Sequence, residues 1–360
     1  MGAAVSGRGR IVVGMSGGVD SSVAAALLRD RGWDVVGVTL HLWDAPPGEM
    51  VGRCCAPEER EDARRACDRL GIPHYVFDRT EAFLRHVVDP FVEQRAAGST
   101  PSPCIHCNRA VKIAELLRVA DALGASHVAT GHYARVEEGP DGVRLLRGRD
   151  PHKDQSYFLY GIGAAALARL RCPLGELDKP SVRELAARLG LPAAAKPDSQ
   201  ELCFVPDGDF RGFLRRRGYA PSPGWIVDET GERLGRHDGL GFYTVGQRRG
   251  LGLGGGPARY VLRVIPERNE VVVAGRERLG GTELRAGQAR WLGGTPAEGE
   301  EVLMQVRARH RAARARIWPA SEGWRSFRVR FEEPQFAITP GQAAVVYRGD
   351  EVLGGGLIQA

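Results

Sequence analysis

At 360 residues the chain exceeds what a single hydrophobic core usually organises, so two or three domains are expected. Hydrophobic residues at 43% and charged residues at 26% are ordinary globular usage, no stretch approaches the ~18 apolar residues of a membrane span, and the N-terminus lacks the apolar core of a signal peptide. A membrane protein and a secreted disulfide scaffold are thereby excluded and the cytoplasm is expected; the net charge of +6 suits a polyanionic partner, although the near absence of Lys among the basic residues is also what a GC-rich genome produces.

In chain order, apolar runs at residues 11–15, 35–42, 74–77 and 127–130 predict strands. Three- and four-residue apolar spacing predicts helices over 21–31, 57–70, 81–94 and 111–123, with Gly32 and Gly71 as stops. Strand-helix alternation implies a parallel sheet. A turn signal over 136–143 predicts a hairpin, helical patterns return at 181–189 and 209–217, and glycine-rich strand-and-turn text follows. From Leu279 onward apolar and polar residues alternate, which fits a small β-barrel or sandwich. The expected architecture is α/β, with an N-terminal Rossmann-like parallel-sheet domain over 1–206, a small central domain over 207–278 and a C-terminal β-barrel over 279–360.

The segment Gly14-Met15-Ser16-Gly17-Gly18-Val19-Asp20-Ser21-Ser22 lies between a strand and a helix, where backbone N–H groups and the helix dipole converge on an anion. Glycines admit a phosphate closely, the serines can donate hydroxyls, and Asp20 can reach a magnesium ion. It is neither the Gly-x4-Gly-Lys-Ser/Thr loop nor the dinucleotide fingerprint, because it carries no lysine and its glycines are adjacent. It resembles the pyrophosphate loop of the PP-loop ATPases, which cleave ATP to AMP and pyrophosphate while adenylating a carbonyl oxygen.

Cys104-Ile-His-Cys107 follows a Pro-rich loop and is expected just before a helix starting near Arg109, with Arg109 and Lys112 favouring a thiolate. Cys203 lies in a second loop. Cys-x-x-Cys is also half a zinc site, a redox dithiol or part of an iron–sulfur cluster, with Cys203 as a further ligand. No second such pair occurs and Cys54-Cys55 is too cramped for a tetrahedral set, so no bound metal is expected. Cys67 and Cys172 read as buried small hydrophobes. His132 reads equally as a packed histidine or, with Gly131, as part of an adenine site.

Thr100-Pro-x-Pro-x3-Cys107-Asn108, Ala129-Thr-Gly-His-Tyr133, Lys153-Asp-Gln-Ser-Tyr157, Asp198-Ser-x3-Cys203-Phe204 and Phe242-Tyr-Thr-Val-Gly-Gln-Arg248, in this order, resemble the tRNA-specific 2-thiouridylase family. That resemblance implies ATP-dependent thiolation of a tRNA wobble uridine, with Cys107 as nucleophilic partner and Cys203 as persulfide carrier, the two able to form a disulfide. It implies ATP contacts at residues 14–21 and Leu40, beside the Gly131 already read at the adenine, catalytic weight on Asp20, and tRNA contacts at Ser102, Pro103, Cys104, Lys153, Asp154 and Gln155. Read from charge alone, the basic run holding Arg307, Arg309 and His310, together with Arg215–Arg217 and Arg248–Arg249, is expected to form a phosphate-tracking surface for a folded RNA. Where the family commonly reads Asn-Pro-Asp this chain has Ser102-Pro103-Cys104, so the base contacts differ. ATP with Mg2+, a sulfur-relay or cysteine desulfurase donor and a monomeric state complete the expectation. The alternatives are an iron–sulfur-dependent base thiolase or another PP-loop ligase, and a nucleotide-switched RNA-binding module.

Overall fold

The computed structural model describes residues 8–44, 57–139, 142–192, 202–205 and 208–359. Cys54, Cys55, Lys196, Asp198, the turn residues Pro140 and Asp141, and the expected border at 206–207 lie outside them. Two compact units emerge, the first from residues 1–87, 104–208 and 350–352, the second from 88–103, 209–349 and 353–360.

In the first unit β1 (Arg10–Gly14) has Ile11, Val12 and Val13 buried on both faces, as a central parallel strand requires. It leads to α1 (Val19–Asp30), β2 (Asp34–His41), α2 (Pro57–Leu70) and β3 (His74–Asp78). A helical stretch follows: α3 (Thr80–Phe83), a widened π turn over Leu84–Val88, and α4 (Asp89–Ala96), which belongs to the second unit. Then come α5 (Pro103–Cys107), a second π turn over Asn108–Lys112, α6 (Ile113–Ala122), β4 (His127–Ala129), the hairpin β5 (Ala134–Gly139) and β6 (Gly142–Arg147), α7 (Ala164–Arg169), β7 (Leu170–Arg171) and α8 (Lys179–Arg188). The sheet order is β3-β2-β1-β4-β7, every pairing parallel. Ala24, Ala25 and Ala26 are buried in one cluster with Ala63, Ala66 and Cys67 of α2 and Val182 and Ala186 of α8; small side chains let helices pack closely there.

One expectation is corrected. The helix does not begin near Arg109 but at Pro103, whose fixed φ and missing N–H suit a first helical position. Cys104, not Cys107, therefore occupies the first turn, where the dipole acts most strongly.

The second unit continues with α9 (Phe210–Arg216), β8 (Gly224–Val227), β9 (Arg233–His237), β10 (Tyr260–Ile265) and β11 (Glu270–Ala274), joined as a four-stranded sheet in the order β10-β11-β8-β9. β12 (Gly280–Trp291), β13 (Glu300–Gln305), β14 (Ala313–Pro319), β15 (Phe327–Phe336), β16 (Ala343–Arg348) and β17 (Glu351–Ile358) follow. Their order, β12-β15-β14-β13-β16-β17, closes through antiparallel pairing of β12 with β17. The C-terminal region is thus a barrel rather than a sandwich. Val302, Met304, Ala315, Ile317, Phe327, Val329 and Phe331 point inward, as strict alternation predicts.

Arg95 ties α4 to the segment around Phe242. Only 3% exposed, it donates from Nε and Nη2 to Gly241 O (2.9 and 2.5 Å), from Nη2 to Tyr243 O (3.2 Å), and from Nη1 to Thr100 Oγ1 and Thr244 Oγ1 (3.0 Å each). Its guanidinium also stacks on Phe210 at 5.0 Å. Two of the sequence motifs, those at Thr100 and Phe242, thus meet on one side chain.

Candidate active site

Gly18 precedes α1 in extended conformation and has no side chain with which to cap it, so the leading N–H groups of a 12-residue helix are left for an external anion. Gly17 sits at φ +75°, the left-handed region, and a Cβ there would fall 2.1 Å from Glu59 O; backbone conformation and space both demand glycine. The hydroxyls shape the loop. Ser21 Oγ and Ser22 Oγ donate to Gly18 O (3.1 and 3.0 Å), Ser16 N donates to Ser21 Oγ (3.2 Å), and Gly18 N donates to Ser16 Oγ (3.4 Å).

The loop is also tied to the sheet. Met15 N donates to Val38 O at 2.7 Å and Thr39 Oγ1 donates to Met15 O at 2.9 Å. With the Thr39 proton so committed, the 2.8 Å contact to His74 requires Nε2–H to donate to Thr39 Oγ1. Burial lowers the His74 pKa, which favours that neutral form. Leu40, partly buried near the C-terminal end of β2 and opposite Phe77, lies at the strand edge where parallel sheets bind ligands.

The loop has no cation of its own, and the fold brings one from 159 residues away. Lys179, 7% exposed, places Nζ 2.8 and 2.9 Å from the two carboxylate oxygens of Asp20, and Tyr133 OH donates to Asp20 Oδ1 at 2.8 Å. Lys179 opens α8, whose N-terminus is capped by the Asp178 carboxylate accepting from Ser181 N (2.9 Å), and Lys179 N donates to Asp150 Oδ2 (3.1 Å). Sequence reading missed Lys179; the helix-start signal Asp178-Lys179-Pro180 marked its place but not its partner. Gly131 is pressed against α1: a Cβ there would lie 2.8 Å from Asp20 C and Ser21 N. His132 Nδ1 lies 2.7 Å from Thr130 Oγ1, and burial, with Lys112 adding, pushes its pKa down to about 3.

Cys107 is buried at 6% exposure, Cys104 is exposed and Cys203 lies between these extremes. Cys203 occupies a tight turn in which Val205 N donates to Leu202 O at 2.9 Å. The next residue, Phe204, packs its ring against Phe83 (5.9 Å) and Trp43 (6.4 Å), which fixes the backbone beside the thiol. Asn108, beside Cys107, is buried and donates to Phe158 O at 3.5 Å while its Oδ1 accepts from no group among the described residues. Burial pushes the thiols of Cys67 and Cys172 up to about 12, which leaves both inert.

Asp154 and Gln155 face inward. Asp154 accepts from Gly148 N (3.0 Å), Ser156 N (3.1 Å), Ser156 Oγ (3.0 Å) and Arg147 Nη1 (3.2 Å), and Gln155 Oε1 accepts from Tyr133 N (3.0 Å). Gln155 thus holds the backbone that carries Tyr133, and Asp154 the backbone at Gly148 and Ser156. Lys153 is partly exposed, Ser102 and Pro103 are buried, and Arg307, Arg309 and His310 lie in the turn before β14, with Arg307 over the Phe336 ring at 5.8 Å. Among the described residues no group of three or more His, Cys, Asp or Glu side chains is placed to hold a metal ion.

A parallel sheet whose central strand runs through an uncapped glycine turn into a helix defines a nucleotide-binding α/β domain of the pyrophosphate-loop class. Residues 9–207 match the family described as tRNA methyl transferase HUP domain, 211–275 its PRC-barrel domain, and 281–358 the aminomethyltransferase beta-barrel domain. The tRNA-specific 2-thiouridylase MnmA of Sorangium cellulosum is 51% identical over 359 residues, covering 98% of this chain and 92% of its own. That of Geobacter metallireducens is 49% identical over 360 residues, covering 98% and 97%. Among solved structures, the U34-tRNA thiolase NcsA from Methanococcus maripaludis with its [4Fe-4S] cluster aligns over 60% of this chain and 69% of its own, at 18% identity and a TM-score of 0.36, too distant to argue from. The chain belongs to the tRNA-specific 2-thiouridylase family, MnmA.

Proposed function

We propose that the protein thiolates C2 of a tRNA wobble uridine at the expense of ATP. The observation that carries this reading is the joint presence, in one unit, of an uncapped helix N-terminus with a buried Lys179 beside it and of two loop or helix thiols, Cys107 and Cys203, in a chain about half identical to 2-thiouridylases over its full length.

A uridine C2 oxygen is a poor leaving group. Attack by that oxygen on the α-phosphorus of ATP expels pyrophosphate and converts it into an AMP ester. The cradle at Gly14–Ser21 and the Lys179 ammonium would hold the phosphates and offset the charge that develops as pyrophosphate leaves. The terminal sulfur of a Cys203 persulfide then attacks C2 and AMP departs. Cys107 thiolate attacks Cys203 Sγ, so that the S–S bond to the new thio group breaks, 2-thiouridine is released, and a Cys107–Cys203 disulfide remains for a dithiol reductant. Alternatively Cys107 first frees hydrosulfide, which attacks C2; the same disulfide results.

Magnesium is expected to accompany the ATP phosphates, but Asp20, with its oxygens engaged by Lys179 and Tyr133, does not fit as its ligand, and no step is assigned to the ion. Asp20 is read here as the residue that holds Lys179. A persulfide donor protein, ATP contacts at Leu40 and Gly131, and base or backbone contacts from Ser102–Cys104, Lys153 and Arg307–His310 belong to the same proposal.

The test incubates the protein with ATP, magnesium, a persulfide donor and unmodified tRNA, and looks for 2-thiouridine by nucleoside mass spectrometry. Cys107→Ser and Cys203→Ser should abolish thiolation while tRNA-dependent pyrophosphate release continues. Substantial thiolation by either variant would overturn the two-cysteine mechanism. A visible cluster absorbance in anaerobically purified protein would favour the iron–sulfur route instead.

A further inference from the structure

The outer face of the C-terminal barrel carries two neighbouring rows of side chains that differ in charge balance. In one row the register sets Glu283 opposite Arg330, Arg330 opposite Arg316, and Arg316 opposite Glu301. The two central arginines face each other, yet each has a carboxylate at its outer side: Arg330 lies 3.9 Å from Glu283, and Arg316 pairs closely with Glu301. The next row sets Arg285 opposite Arg328 and Arg328 opposite Trp318. Here the like charges have no such relief. Both arginines are exposed, and among the described residues neither has a carboxylate within ion-pair reach. Directly opposed like charges destabilise a strand pair, so this row is unfavourable for folding alone.

Three further features mark the row as a binding surface. Arg285, Arg328 and Trp318 line one hollow of 610 Å³. The exposed Arg328 guanidinium lies over the Trp318 ring, 5.5 Å from its centroid, a contact that uses none of its N–H donors. Trp318, partly exposed in the lining of the same hollow, supplies an aromatic surface of the kind against which an unpaired base packs.

We propose that Arg285 and Arg328 grip a phosphate of an RNA backbone, with Trp318 against the adjoining nucleotide. A lone phosphate is too weak an occupant, because exposed ion pairs are individually feeble; an RNA that is held elsewhere on the protein presents its phosphate at high effective concentration. The inference rests on the reading of tRNA as substrate and adds a contact surface outside the motifs that reading uses.

The test measures binding of labelled unmodified tRNA to the full chain across a salt series, together with thermal unfolding. Arg285→Ala/Arg328→Ala should raise Kd about 10-fold and flatten the slope of log Kd against log salt by about 1, one phosphate contact being lost. Arg328→Glu should move the two readouts in opposite directions: weaker tRNA binding, but a higher Tm, since a carboxylate opposite Arg285 replaces repulsion by attraction. A merely structural arginine would not do this. Arg328→Gln, which has the size and shape of the Arg328→Glu side chain without its charge, guards against a folding defect in the reversal. Unchanged Kd and slope in all three variants overturn the groove, as does stabilisation of the wild type by inorganic phosphate alone that all three variants lose while binding tRNA normally. Failure of the wild type to bind or thiolate tRNA overturns the substrate reading instead.

Discussion

Lys179 and Arg95 are both nearly buried cations, one in each unit, and their partners differ in kind. Arg95 meets neutral acceptors, backbone carbonyls of Gly241 and Tyr243 and two threonine hydroxyls, and its five donors in a rigid fork suit that work. Burial lowers its pKa to about 10, which still leaves it charged at neutral pH. Lys179 meets a carboxylate beside a helix N-terminus. A compact ammonium held there is a movable point charge next to an anion cradle. Burial of a cation therefore has a structural use in the second unit and, on our reading, a chemical one in the first.

The contrast breaks most visibly at Arg95. Arg95→Met should lower stability by about 3 to 5 kcal/mol, because each buried acceptor left without a donor costs about 1 to 3 kcal/mol, and denaturant unfolding would register it. Arg95→Lys should recover only part, since an ammonium cannot reach the carbonyls and the hydroxyls together. An Arg95→Met chain as stable as the parent would remove the structural assignment. Lys179→Met should act on the other readout: ATP-dependent pyrophosphate release falls about 10² to 10³-fold, the range seen when a preorganised electrostatic partner is lost. Adding Asp20→Asn to Lys179→Met should restore Tm by removing the stranded carboxylate while leaving pyrophosphate release low. Recovery of both together would mean that Lys179 serves only to neutralise Asp20.

These two cations also show what the sequence made legible. The sheet, the loop and the closed alternation of the C-terminal strands rest on local patterns: a continuous apolar Ile11–Val13, an adjacent glycine pair, and period-two alternation along β14 and β15. Such patterns are complete within a dozen residues. The Asp20–Lys179 pair spans 159 residues and the Arg95–Gly241 contact 146, and no local periodicity encodes either. Helical periodicity likewise runs through Val87 and Val88, so nothing in that stretch announced that α4 packs with the second unit. The early start of α5 was legible in principle from Pro103 at a first helical position. The adjacent Thr100-Pro-Ser-Pro text fits an extended loop as well, because a residue before proline is turned away from helical backbone.

A smaller effect sharpens the account of charge at the cradle. His132 lies in sequence between Gly131, which abuts the first turn of α1, and Tyr133, which bonds Asp20, and Lys112 is close enough to act on its ring. Its pKa, pushed down to about 3 by burial with Lys112 adding, keeps the ring neutral in the folded chain at neutral pH. The sign of the linkage follows. In the unfolded chain the ring takes up its proton near pH 6.5, so the unfolded state binds more protons below that value. The stability that the neutral ring contributes is complete above pH 6.5 and is lost as pH falls from there towards 3, at up to ~1.4 kcal/mol per pH unit. Stability measured from pH 7 to pH 4 should therefore slope less steeply in His132→Gln than in the parent; the remaining slope includes His74, His127, His237 and His310, whose pKa values burial also lowers, and towards pH 4 carboxylates held low by their partners, such as Glu61 beside Arg64. Identical slopes would mean that His132 takes up its proton at the same pH in the folded chain as in the unfolded one, and that burial does not depress it.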